Sequence, residues 1–240
     1  TTIRRTRPVP FGPLDRRRYL GHGMRRRAAA RSRCGHADRL GARVAPRVSA
    51  VLRDEVMATG SFDPNEFVSA CRRARSDPMP QQALQEVVAR AVSDPAGVLR
   101  ALGEPGHAGI RDLYRSDDLT VLNVVWAPHM TIMPHDHRMV AVVGIYTGRE
   151  DNTFWRRISG DQAGRIEAAG AKALSQGEAA LLGRDVIHSV TNPIQRFTGA
   201  LHVYAGDFFA TPRSEWDPDT LAEQPYDLDR VMRVFRGSNE

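Results

Sequence analysis

The sequence predicts a mainly β protein, a sandwich or barrel of short strands with helices in front of it and one short helix behind. Three observations predict it. From about residue 112 the apolar residues recur with a period of two. Strand-like runs follow at 119–127, 138–146, 150–158, 164–173, 178–182, 186–191 and 197–204. Gly, Asn-Pro and Asp turns separate them at near-regular spacing.

The helices come first in the chain. "DPNEFVSACRRARS" offers Asp63 as an N-cap, Pro64 in the first turn and an apolar face of Phe67, Val68 and Cys71. "PQQALQEVVARAVSD" repeats the pattern with Leu84, Val87, Val88 and Val92 at helical spacing. "DPAGVLRALGEPG" is a short third helix that ends at Gly103 and Pro105. The terminal helix is "YDLDRVMRVFRG". These signals divide the chain into a helical subdomain over 57–106, a β barrel over 107–215 and a helical tail over 216–240.

The first 56 residues have a different composition. Residues 1–50 hold 14 Arg against only Asp15 and Asp38, a charge of +12 where the whole chain carries +6. The stretch has no apolar period, few aromatics and scattered Pro and Gly. It is expected to be a disordered Arg-rich extension, with no nucleic acid as its partner. Nowhere does an apolar run approach the ~18–20 residues that span a bilayer, so no membrane partner is expected. The cysteines, Cys34 and Cys71, form no disulfide framework, which suits a reducing cytoplasm.

Candidate chemistry begins at "MPHDHRMVAVVGIYTG", residues 133–148. In a strand, side chains two apart share a face, so His135 and His137 at a strand mouth converge on one point. "GEAALLGRDVIHSVTNP" adds His188, and the strand "RFTGALHVYAG" follows it. Folding these two strands about residues 193–195 sets His188 beside Ala200, on the same face as His202 and Tyr204. Asp136 points away from its histidine neighbours. Glu150 follows the turn at 147–149 and is expected to pair back near Ile145, ~26 Å along the strand from His137. A three-histidine site remains. Imidazole suits Fe, Zn, Cu and Ni alike, so the ligands leave the metal open.

Taken together, "HDH" before a β-run and the spacing G-x5-G-x-D-x2-H-x3-N from Gly177 to Asn192 resemble the two cupin motifs. "VVWAPHMTIMPHDH" and "HSVTNPIQRFTGALHVYAGDFF" are similar to the cysteine dioxygenase-like branch of that superfamily. The resemblance spans about residues 112–212. It implies a double-stranded β-helix barrel with Fe(II) on His135, His137 and His188. It also implies a small thiol and O₂ as substrates, and His202 with Tyr204 beside the metal. By the same resemblance Arg115, next to Tyr114, is the expected carboxylate-binding residue. Three positions depart from the family: the cysteine that cross-links to the tyrosine is Val142, a serine before "LHxY" is Ala200, and a glycine in the approach to "HDH" is His129. The expected activity is oxidation of cysteine or a related thiol carboxylate to a sulfinic acid. A metal- or small-molecule-binding cupin without catalysis, or a cupin enzyme of other activity, is the alternative.

Overall fold

A computed structural model describes residues 61–240. The expectations for residues 1–56, the extension and the place of Cys34 among them, lie outside the described residues.

Three helices open this part of the chain. They are α1 (Pro64–Arg75), α2 (Pro80–Val92) and α3 (Pro95–Leu102). The Asp63 carboxylate caps α1 by accepting from the backbone N–H groups of Asn65 and Glu66, and Asp94 caps α3 through Gly97. Eleven strands follow: β1 (Gly109–Arg115), β2 (Thr120–Trp126), β3 (Thr131–Asp136), β4 (Ala141–Thr147), β5 (Arg149–Arg157), β6 (Ile166–Ser175), β7 (Ala179–Leu182), β8 (Ile187–Thr191), β9 (Thr198–Tyr204), β10 (Ser214–Trp216) and β11 (Glu223–Pro225). Helix α4 (Leu228–Gly237) ends the chain.

The strands form two antiparallel sheets, ordered β1-β2-β9-β4-β7 and β11-β10-β3-β8-β5-β6. From β2 to β5, and again from β7 to β10, successive strands alternate between the sheets. That winding is the double-stranded β-helix, and the fold is the mainly β barrel that the sequence predicts. Every second residue of β2, β4 and β9 faces the interior: Leu122, Val124 and Trp126, then Ala141, Val143 and Ile145, then Ala200, His202 and Tyr204. The alternate residues Val121, Val142, Tyr146, Leu201 and Val203 lie under Phe67, Leu84, Val88 and Val92 of the helices. Both faces are therefore buried. Gly144 makes this packing possible, because a Cβ there would fall 2.5 Å from the Val88 side chain.

Three sequence expectations give way here, the first two for one reason. Period two tells which face a residue occupies and is silent on which sheet its strand joins. The histidine pair closes β3, a strand the sequence reading missed, and does not open the following strand; Arg138, at φ 55°, turns the chain toward β4 in the other sheet. β8 and β9 form no hairpin: β8 pairs with β3 and β5, and β9 with β2 and β4. The six-stranded sheet also continues past residue 215 through β10 and β11. Helix α4 then folds back, and Val231 and Phe235 join the interior, with Phe235 stacked on Trp126 at 5.4 Å.

Among the described residues no helix is long and apolar enough to cross a membrane.

Candidate metal centre

β3 and β8 are antiparallel neighbours, and their register sets His135 directly opposite His188. Asp136 points outward, where it accepts from the Ser214 backbone N–H and pairs with Arg138 at 2.7 Å. The corner at Arg138 brings His137 back over the barrel mouth. The three rings offer ligand atoms that all lie within 4.8 Å of one another. Nε2 of His137 is 3.2 Å from Nε2 of His135 and 3.2 Å from Nε2 of His188.

Their far nitrogens fix what these near ones can be. Nδ1 of His135 donates to the Met133 carbonyl at 2.9 Å. Nδ1 of His188 donates to Oδ1 of Asn152 at 2.7 Å, and the Asn152 amide donates in turn to Oε1 of Glu150 at 3.0 Å. Nε2 of His135 and of His188, as neutral rings, is then a lone pair. Burial holds the His135 ring down to about 4, partly opposed by its bond to Met133. The His137 and His188 rings lie well below the ordinary histidine range, from burial first and neighbouring histidines second. Uncharged rings with lone pairs aimed at one point, in a dry setting, fit a divalent cation.

His202 and Tyr204 reach this centre across the barrel interior from β9. The Tyr204 ring stands edge-on to His137, 5.1 Å between centroids, and its hydroxyl is 3.0 Å from Nδ1 of His202. Burial pushes the phenol well above its ordinary value. The position opposite Tyr204 on β4 is Ala141, while Val142 packs outward against the helices. Among the described residues no thiol stands beside the phenol.

Glu150 requires a correction. It is not at a distant hairpin tip. Gly148, at φ 84°, turns the chain out of β4 and into β5 of the other sheet, where β5 runs beside β8. Glu150 consequently faces inward, fully buried, with Oε2 3.5 Å from Nε2 of His202.

Arg115 is not brought to the centre. It ends β1 with its guanidinium bidentate on Asp207, at 3.0 Å for both Nε and Nη2, and nearly half exposed. The arginine beside the centre is Arg213, 91% buried at a relative exposure of 9%. Its guanidinium lies between the rings of Phe208 (4.2 Å) and Tyr226 (3.8 Å). It donates to the carbonyls of Phe208 and Thr211, and among the described residues its Nε has no partner. Its positive charge is felt at His135, His137 and Tyr204, lowering all three. "ATPRSEW" carries no pattern that marks Arg213. Only the fold, by bringing two distant aromatics to it, reveals the position.

Phe208, Tyr226, Val231 and Phe235 close the space over the histidines to a cavity of about 30 Å³, room for a water or two. A broad, open depression of about 570 Å³ beside Gly148, Arg149 and Arg196 holds none of these residues.

No protein-family model and no curated protein matches the chain. Solved structures do align with part of the chain. An oxalate decarboxylase from Bacillus subtilis aligns at 17% identity over 38% of this chain and 22% of its own, with a TM-score of 0.31. A cupin 2 conserved barrel domain protein from Leptotrichia buccalis gives 16%, 42% and 42%, with a TM-score of 0.34. An RmlC-like cupin family protein with a double-stranded β-helix fold, from Methanocaldococcus jannaschii, gives 11%, 45% and 86%, at 0.36. The chain thus covers less than a quarter of the decarboxylase. At such scores the likeness carries no chemistry, which has to come from the residues of this chain.

Proposed function

We propose that the protein is an Fe(II)-dependent thiol dioxygenase that converts a small thiol carboxylate and O₂ into the sulfinic acid, RSH + O₂ → RSO₂H. The observation that carries this reading is an all-imidazole centre with a buried phenol–imidazole pair, Tyr204 and His202, facing it from the opposite sheet. His135, His137 and His188 would hold a ferrous ion, which would supply the redox chemistry between thiol and dioxygen. Three neutral ligands leave the full cationic charge to favour a thiolate over a thiol. The buried Tyr204 hydroxyl hydrogen-bonds the ligand, and His202 orients that hydroxyl. Arg213, rather than the Asp207-bound Arg115, receives the substrate carboxylate. Its desolvated guanidinium with a free Nε supports that role. The aromatic wall keeps water out and holds the two small reactants in place.

One observation favours a second reading, a metal-holding protein without catalysis. The cavity of about 30 Å³ admits a thiol only if Phe235 or its neighbours move. Oxygen uptake by the ferrous protein, measured across a panel of small thiols, decides between the two.

A further inference from the structure

The two oxygens of Glu150 lead in different directions. Oε1 accepts from Asn152, which holds His188. Oε2 faces Nε2 of His202 at 3.5 Å, and both atoms are buried without a hydrogen bond among the described residues. Nδ1 of the same ring meets the Tyr204 hydroxyl, which stands beside His137. Groups that can pass a proton therefore stand in a row from the edge of the histidine centre to a buried carboxylate. Among the described residues no Lys or Arg pairs with that carboxylate. Two facing lone pairs would leave both atoms desolvated and unbonded, so a proton lies between Oε2 and Nε2. With Nε2–H donating to Glu150, Nδ1 accepts from the Tyr204 hydroxyl. The phenol oxygen then turns its lone pairs toward the centre. Ala200, the inward neighbour of His202 on β9, offers no hydroxyl to compete for Nε2.

We propose that Glu150 stores the proton that a thiol gives up when it binds at the three histidines. The thiol proton passes to the Tyr204 oxygen, the Tyr204 proton to Nδ1 of His202, and the Nε2 proton to Oε2 of Glu150. One S–H bond breaks and one carboxyl O–H bond forms. Phenol and imidazole each take one proton and release one, and His202 changes tautomer. No electrons move in this step. A negative charge appears on sulfur as one disappears from Glu150, so the closed cavity gains no net charge. Uncompensated charge is what burial penalises most. The inference rests on the thiol reading of the centre.

The test uses zinc-loaded protein, which holds a thiol without oxidising it, and infrared difference spectra on adding mercaptopropionate at neutral pH. Thiol binding is followed separately by calorimetry in buffers of different ionisation enthalpy. The expected result is a new protonated-carboxyl band that shifts in D₂O, with no proton released to the buffer. Glu150→Gln keeps the size of the side chain, and its amide donates to Nε2 of His202; zinc stoichiometry checks its fold. In that variant the band is lost and thiol binding releases a proton to the buffer. Thiol binding with no carboxyl band, or with the same band in Glu150→Gln, overturns the proton-store role alone. Absence of thiol binding to a protein that holds its zinc overturns the thiol reading and this inference with it.

Discussion

The Asn152 carbonyl holds the Nδ1–H of His188 at 2.7 Å, which leaves Nε2 of that ring as a bare lone pair aimed at its two neighbours. The amide is itself pinned by Glu150, so it cannot flip without losing a buried bond. Asn152→Leu should therefore weaken metal binding by about 10–100-fold while the barrel stays folded. Asn152→Asp, which still accepts from Nδ1 but must share a proton with the facing Glu150 carboxylate, should lose less affinity than Asn152→Leu. Metal titration against a competing chelator measures both. Equal affinity in Asn152→Leu and the unaltered protein would remove Asn152 from the ligand-orienting role.

Arg213 and Arg115 make opposite predictions. Arg213→Met keeps the bulk between Phe208 and Tyr226 but removes the charge. It should raise KM for mercaptopropionate by about 10–100-fold, the worth of a charged hydrogen bond. Cysteamine, with no carboxylate, should be little affected. Arg115→Ala should leave both substrates unchanged, because its guanidinium is already committed to Asp207. Steady-state kinetics on the two thiols separate these outcomes, and equal losses on both in Arg213→Met would end the clamp.

Burying neutral histidines makes the metal-free protein acid-sensitive in a defined window. An unfolded histidine titrates near 6.5, whereas folded His135 titrates at about 4, and His137 and His188 lie lower than ordinary histidine as well. Between these values the unfolded chain binds more protons than the folded one, so stability falls as pH drops from 6.5 toward 4. Above 6.5 this contribution is flat. Thermal melts of the apoprotein across that range should show the decline. A bound divalent metal should raise stability without flattening that decline, because any proton that competes with the ion for the same nitrogens adds to the loss at low pH.

Phe235 closes the cavity from α4 by stacking on Trp126. Phe235→Ala should cost about 3–5 kcal/mol of stability and admit bulkier thiols than the unaltered protein accepts. Denaturant melts and the thiol panel read the two effects. Loss of stability with no change in thiol range would mean that substrate enters elsewhere.

The sequence carried the helices, through Asp63, Pro64 and Gly103, and most of the strands. It also carried the centre, because "HDH" and a later His188 survive any error in strand pairing: all three stand at strand ends that meet at one mouth. The partners of the centre were harder to read. Glu150 was misplaced because alternation of apolar residues assigns a face and cannot show that the turn at Gly148 changes sheets. His202 and Tyr204 were picked out by a hairpin between β8 and β9 that does not exist; they meet the centre across the interior instead. Arg213 left no trace in sequence, since what marks it is desolvation between Phe208 and Tyr226, separated from each other by 17 intervening residues. Short edge strands such as β10 and β11 gave too few residues for a period to show.

The most direct test is oxygen consumption by the iron-loaded protein with cysteine, mercaptopropionate and cysteamine, alongside product analysis. The account predicts thiol-dependent uptake that yields the sulfinate at a ratio of about one per O₂, as the balanced reaction requires, and its loss in His188→Ala together with the bound iron. An iron-replete protein that consumes no oxygen with any thiol in the panel would contradict it.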